Sequence, residues 1–213
     1  MKRKQVEKDH YYFSRYMSKR RWASVWHQLD EVIRFNPTSI LEIGPGPGVF
    51  KQVATLFGFD VETFDIDPDL NPDHIGSATA LPFAEDTYDV ICAFQMLEHL
   101  PYEIAMQAFS EMVRVSRRYV IISLPDAKRV WRLLFHIPIL GLRTLHIPKI
   151  RFKKKKNEFK GEHYWEINKQ GYPLKRIIKD LCGECMLIKT YTVFENPYHR
   201  FFILEKREVA SEI

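Results

Sequence analysis

The stretch Ser39-Ile-Leu-Glu-Ile-Gly-Pro-Gly-Pro-Gly-Val-Phe50 runs from an apolar segment directly into glycines at alternate positions, Gly44, Gly46 and Gly48. An apolar strand, a glycine-rich turn and then "VFKQVATLFGF" (49–59), which reads as a helix closed near Gly58, is the opening βα unit of a doubly wound sheet. Continuing outward, "DVETFDID" (60–67), "YDVICAFQ" (88–95) and "RYVIISLP" (118–125) are apolar strands. They alternate with helical patterns, as in "EIAMQAFSEMVRV" (103–115), where Ile104, Ala108, Met112 and Val115 share a face. Strands that are apolar on both faces belong to a parallel sheet covered on both sides. The end of the chain reads as helix "YPLKRIIKDLC" (172–182), with Leu174, Ile177, Ile178 and Leu181 inward, followed by strands "LIKTYTVF" and "HRFFILEK". The expected fold is therefore α/β and Rossmann-like, a mostly parallel doubly wound sheet with an antiparallel final strand and helices on both faces.

The 213 residues suffice for one domain over 1–213,. An N-terminal helical segment (1–36) is expected to precede it, with Trp22, Val25, Trp26, Leu29 and Ile33 on one face of "RWASVWHQLDEVIRF" (21–35). A basic cap insert is expected at 127–170. Charge is unevenly spread: residues 1–21 carry eight Lys/Arg against Glu7 and Asp9, and residues 127–160 carry eleven against Glu158 alone. With a total of +5, the rest of the chain is acidic. Basic segments of this kind face phosphate, nucleic acid or lipid headgroups, or are merely solvated. The start, "MKRKQVEKDH", lacks an apolar core, and "VWRLLFHIPILGL" (130–142) is interrupted by Arg132 and His136. Neither a signal peptide nor a spanning helix is expected. Three cysteines, Cys92, Cys182 and Cys185, suit a reducing cytoplasm, and the lone C-x-x-C at 182–185 reads as helix-end packing.

The glycine turn excludes two ligands. Gly48 is followed by Val49 and Phe50 rather than Lys-Ser/Thr, so a Walker phosphate loop is ruled out. The spacing is G-x-G-x-G, not G-x-G-x-x-G, and Pro45 and Pro47 remove two N–H donors that a pyrophosphate would need. Glu42 would direct a carboxylate into the pocket, repelling a pyrophosphate and attracting a cation. Asp65, 23 residues on, ends the second strand, where an acidic side chain accepts from ribose hydroxyls,. The combination suits a positively charged nucleoside without phosphates.

These motifs, with "ALPFAEDTYDVICAFQMLEHL" (80–100), resemble the class I S-adenosylmethionine-dependent methyltransferases over about residues 39–125,. Within them the chain is similar to the methyltransferase type 11-like group of small-molecule and lipid enzymes, with its L-P-F…D-x-x-F/Y-D-V…L-E-H signature. The resemblance implies S-adenosyl-L-methionine as cofactor, with Glu42 and the Gly44, Gly46 and Gly48 turn beside its methionine portion and Asp65 on its ribose. It places Ile66 against the adenine, Ser77 and Ala78 at the adenine's polar edge, and Phe94 and Gln95 over the sulfonium. Ser77 stands where the group commonly has Asp, a neutral and weaker acceptor.

Glu98 and His99 are the candidate catalytic residues, placed to take a proton from a hydroxyl acceptor. In the wider group this Leu-Glu-His is often structural. "QMLEH" is also similar to the E-x-x-E-H of ubiquinone-pathway O-methyltransferases, which is associated with a divalent metal, but Gln95 is a poorer ligand, so no bound metal is expected.

Two readings of residues 128–160 stay open: a segment at an anionic membrane surface delivering an amphiphilic acceptor, or a cap helix packed over the pocket with a basic loop. "GEHYWEI" (161–167) gathers His163, Tyr164, Trp165 and Glu166, to shape an acceptor pocket or to plug the lid. The rival functions are an RNA methyltransferase and a non-catalytic nucleotide- or membrane-binding module. Nucleic acid is disfavoured as partner because "FQML" replaces the Asn/Asp-Pro-Pro-Tyr/Phe motif of base amino methylation.

Overall fold

The computed structural model describes residues 12–139, 141–149, 159 and 162–207. The lysine run 153–156 lies outside the described residues. Helices α1 (Phe13–Tyr16) and α2 (Lys19–Ile33) precede β1 (Ile40–Ile43), α3 (Val49–Leu56), β2 (Val61–Asp65) and the short β3 (His74–Ile75). Then come β4 (Tyr88–Phe94), α4 (Tyr102–Val115), β5 (Ser116–Pro125), β6 (Val130–Ile137), β7 (Gly141–Pro148), α5 (Leu174–Leu181), β8 (Cys185–Thr192) and β9 (His199–Lys206).

Seven strands form one sheet in the order β3-β2-β1-β4-β5-β9-β8. The first five are mutually parallel, and β9 runs antiparallel to β5 and β8. Because β1 lies between β2 and β4, the chain reverses direction across the sheet there, which opens a crevice at the carboxyl ends of the strands. The central strands are buried on both faces. Leu41, Ile43, Ile91 and Ile122 pack beneath α4 and α5, while Ile40, Val90, Phe94 and Phe201 pack beneath α2 and α3. Full burial of each such side chain contributes about 1.5–3 kcal/mol.

Several signature residues hold this frame. Asp89 accepts from Thr38 N (2.7 Å), Thr38 Oγ1 (2.5 Å) and Arg117 (2.9 Å), locking the entry to β1 against β4. The "LPF" segment is clasped by one turn of α4: Leu81 N donates to Glu111, and Arg114 donates to the Leu81 and Phe83 carbonyls.

Three expectations need correction. Trp22 and Trp26 are exposed, at 52% and 58%, and the buried residues of α2 are Ser24, Val25, Glu31 and Val32. The helix is rotated because polar groups are used inward: Glu31 pairs with Lys189 on β8 (2.8 Å) and Ser24 accepts from Asn196 (3.1 Å). Ile104 is also exposed, and α4 instead buries Tyr102, Ala105, Ala108, Phe109 and Met112. Finally, 130–148 is a separate antiparallel hairpin, not a helix. Pro138 at its turn would break a helix, and side chains along β6 alternate between two faces, with Trp131 to His136 all exposed,.

Both roots of the excursion between β5 and α5 are fixed at one point. Ala127 N donates to Ile167 O (2.9 Å), Ile167 N to Pro125 O (2.9 Å), and buried Asp126 binds Arg200 and Asn168 (both 2.8 Å). Cys182 and Cys185 are free thiols at the α5–β8 junction. Burial pushes the Cys185 thiol up to about 12, so it is inert packing,.

Candidate functional site

Strand alternation sends Ile40 and Glu42 to the α2/α3 side of the sheet and Leu41 and Ile43 to the other. Glu42 is thereby buried, 3% exposed, and among the described residues its Oε2 has no hydrogen-bond partner. Burial raises its pKa to about 8, opposed by the N–H and charge of Lys51 in the first turn of α3. The turn after β1 has positive φ at Gly44 (+71°) and Gly48 (+71°). A Cβ at Gly44 would stand 2.5 Å from Met96 Cγ, whereas one at Gly48 would meet nothing within 4 Å. That open space lies at the start of α3, whose N-cap is Gly48.

A pocket of about 430 Å³, open to solvent, is lined by Glu42, Gly44, Pro45, Pro47, Phe94 and Gln95 from the sheet edge and by Tyr16, Arg21, Val25 and Gln28 from the N-terminal helices. His199, at the start of β9, completes the wall. Burial holds this imidazole neutral, with a pKa of about 3, and among the described residues its Nδ1 is without a hydrogen-bond partner. Arg21 stacks its guanidinium 4.1 Å over the Tyr16 ring.

Gln95 has φ +57°, a left-handed conformation uncommon for a non-glycine residue,. It is held by Gln95 N to Ser123 O (2.9 Å) and Nε2 to Ser123 Oγ (3.3 Å). Backbone strain of this kind concentrates where a side chain must be aimed. Phe94 leans on Phe50 (5.4 Å between ring centroids) and Phe201 (6.1 Å).

On the other side of β1, Asp65 ends β2 with its Oδ1 accepting from Asp67 N (2.8 Å). Burial raises its pKa, opposed by the N–H groups of Asp67 and Ile66. Ile66 next to it is 42% exposed. Gly76 N donates to Asp65 O (2.9 Å), which brings Ser77 and Ala78 beside the same strand end. Ser77 Oγ is 2.8 Å from Thr79 Oγ1, and Ala78 packs partly buried against the core. The expected cofactor residues thus occupy adjacent carboxyl ends of β1, β2, β3 and β4.

Glu98 and His99 do not line this pocket. They belong to the 3-10 turn Leu97–His99 just beyond Gln95, where Glu98 is fully buried and its pKa is raised by burial to about 8. The "GEHYWEI" segment returns there, with Tyr164 N donating to Glu98 O (2.9 Å) and the His163 ring 4.9 Å from that of His99. Trp165 fills the core below, donating to Leu100 O (3.1 Å). Tyr16, Arg21, Gln28 and His199 were not identified from sequence. They come from chain segments far from the glycine turn, with no motif to mark them.

The fold and this edge define a methyltransferase-type domain. The chain belongs to the methyltransferase domain family, whose profile matches residues 10–170. An uncharacterized methyltransferase of Mycobacterium marinum is 33% identical over 93 residues, covering 37% of this chain. The match spans only 35% of that relative's length. The PH0226 protein of Pyrococcus horikoshii superposes with a TM-score of 0.63 at 13% identity, covering 95% of this chain and 100% of the other. A Burkholderia thailandensis 1,6-didemethyltoxoflavin-N1-methyltransferase, solved with 1,6-didemethyltoxoflavin and S-adenosylhomocysteine, superposes at 0.61 with 10% identity, covering 94% and 85%.

Affinity for a cationic ligand in this pocket is expected to depend on pH through Glu42. Below about 8 the free carboxyl is protonated, and a neighbouring cation favours the carboxylate, so binding releases a proton,. Affinity for S-adenosylmethionine should therefore rise with pH, by at most about tenfold per unit, and level off above 8,. Calorimetry in two buffers of different ionisation enthalpy would measure the released proton, and Glu42→Gln should remove it.

Proposed function

We propose that the chain is an S-adenosylmethionine-dependent methyltransferase acting on a small, amphiphilic acceptor. The observation that carries this reading is a buried carboxylate, Glu42, whose Oε2 has no hydrogen-bond partner among the described residues, facing a glycine turn with open space at Gly48, with Asp65 at the neighbouring strand end. The residues present fit the cofactor: Glu42 meets the positive methionine end, Asp65 takes the ribose hydroxyls, exposed Ile66 covers one adenine face, and Ser77 and Ala78 border its edge. When bound, the sulfonium supplies an activated methyl group and a neutral sulfide as leaving group. Phe94 and Gln95 exclude water and set the line of approach, and such positioning supplies roughly 7–11 kcal/mol. Glu98 and His99 stand on the acceptor side, beyond Gln95. His199 closes the pocket as a neutral imidazole that adds no competing positive charge.

The acceptor's class is inferred from the hairpin. One face of β6–β7 presents Trp131, Leu133, Phe135, Leu145 and Ile147, all at least 36% exposed, with Arg143 on the same face by its pairing with Phe135. Lys149 lies 5.4 Å over the Trp131 ring. The opposite face anchors the hairpin to the β8–β9 connection through Arg132 to Glu195 O (2.5 Å) and His146 stacked on Phe194. Asn196 of that connection also binds Ser24 of α2, so exposed Trp22 and Trp26 belong to a neighbouring element. Aromatic and basic groups together suit the headgroup region of an anionic bilayer. Among the described residues no helix is long and apolar enough to cross a membrane.

The decisive experiment supplies the purified chain with methyl-labelled S-adenosylmethionine and either a lipid and metabolite extract or bulk RNA. Label should enter the organic-soluble fraction with equimolar S-adenosylhomocysteine. Label in RNA would favour the nucleic-acid rival, and binding without conversion in every extract would leave a binding module. Sedimentation with anionic vesicles should fall sharply for Trp131→Ala, with cofactor affinity unchanged.

A further inference from the structure

We propose that Glu98, His99 and His163 form a binding site for one first-row divalent transition-metal ion, with zinc as the best-matched probe. The 3-10 turn Leu97–His99 delivers a carboxylate and an imidazole side by side, and the backbone bond from Tyr164 N to Glu98 O (2.9 Å) brings the second imidazole to them. One ligand atom from each residue lies within 4.8 Å of the other two. The metal-ligand distances of about 2.0–2.2 Å for nitrogen and carboxylate oxygen are reached by a small inward movement of these side chains.

Two further observations point to a cation. Glu98 is 0% exposed, and among the described residues neither of its oxygens has a hydrogen-bond partner. A buried carboxyl without partners is costly unless something else occupies its lone pairs. The second is the arrangement behind His163. Its Nδ1 lies 3.4 Å from Glu166 Oε1 and 3.3 Å from Tyr198 OH, and Glu166 is itself held by Lys169 at 2.7 Å. A histidine whose one ring nitrogen faces a fixed carboxylate presents the other nitrogen in a set tautomer, as metal-binding imidazoles do.

The donor set selects the ion. Two imidazoles and one carboxylate suit zinc or a neighbouring transition metal and leave one position for water or an acceptor hydroxyl. Magnesium and calcium prefer all-oxygen shells. The expectation of no metal rested on Gln95 at the first place of the contiguous motif. Gln95 is indeed committed elsewhere, to Ser123, and the third ligand is supplied by His163, 68 residues further along, instead. The site does not depend on the methyl-transfer reading and is tested without it.

The full chain, stripped with a chelator, would be titrated with zinc against a chromophoric competitor and with cobalt(II) by visible spectroscopy. One equivalent should bind, giving the intense d–d bands of a four- or five-coordinate cobalt centre without a thiolate charge-transfer band. His163→Ala and Glu98→Gln should each weaken zinc by more than the about tenfold expected for Glu166→Gln, while Cys182→Ser changes nothing. The proposal is overturned if the wild type takes up no stoichiometric metal or if affinity survives His163→Ala. A thiolate band that disappears in Cys182→Ser would overturn it equally, by placing the ion at 182–185. Because the wild-type cobalt spectrum is read without any variant, a substitution that disturbs folding does not leave the question open.

Discussion

Replacing Asp65 with alanine is expected to weaken S-adenosylmethionine about ten- to a hundredfold, since a hydrogen bond to a charged group contributes about 1.5–3 kcal/mol. Two effects are combined at this position. The carboxylate is the acceptor for ribose hydroxyls in the proposed mode, and it also holds Asp67 N at 2.8 Å, which shapes the turn presenting Ile66. Asp65→Asn separates them: its amide oxygen can still accept from Asp67 N, but the side chain loses its charge. Asparagine should therefore recover the thermal midpoint more fully than the affinity. Calorimetry and thermal unfolding on the three proteins measure both quantities. Equal affinity in wild type and alanine variant would remove Asp65 from the site.

The second large effect is expected at Gly44, and its contrast with Gly48 is informative. Both residues sit at φ +71°, so alanine at either costs about 1–2 kcal/mol in backbone strain alone,. At Gly44 the new methyl would also approach Met96 Cγ to 2.5 Å and Cβ to 3.0 Å. Met96 must then move, and it lies between strained Gln95 and the Leu97–His99 turn. Gly44→Ala should lower unfolding stability by roughly 3 kcal/mol or more, strain and overpacking together. Gly48→Ala meets no protein atom, so its stability loss should stay near the backbone cost. Its methyl instead points into open space, where the proposed cofactor would lie, so its effect should appear mainly in cofactor affinity. Denaturant unfolding with and without S-adenosylhomocysteine distinguishes the two; similar stability losses in both variants would contradict the Met96 contact.

Much of the sheet was legible because parallel strands buried on both faces leave continuous apolar runs, and "SILEIG", "YDVICAFQ" and "RYVIISLP" are such runs. The placement of the candidate edge was legible for a related reason: Glu42, the glycine turn and Asp65 are set by local chain geometry at consecutive strand ends. What sequence could not show was long-range pairing. Trp22 and Trp26 looked like core because helical periodicity identifies a stripe without saying which side meets the sheet. The inward side was decided by Glu31 with Lys189 and Ser24 with Asn196, more than 150 residues away in the chain. The hairpin was obscured by mixed Leu, Phe and Arg residues whose apolar face has no covering element among the described residues. His199 reached the pocket wall only through a return of the chain to the sheet edge and carries no motif, whereas His163 was marked by its cluster but not its place beside His99.

The position of β9 has a consequence for how the molecule is made. It is the last of the described strands, yet it lies between β5 and β8, and it carries His199 into the wall of the pocket. During synthesis, strands β1 to β5 can assemble while the outer edge of β5 waits for its partner, a row of unsatisfied amides able to recruit another chain. That exposure ends only when His199–Lys206 has emerged and inserted. The pocket therefore acquires its final wall at the same moment that the vulnerable edge disappears. A small molecule that binds there would stabilise the fully threaded sheet over its partly assembled forms by mass action.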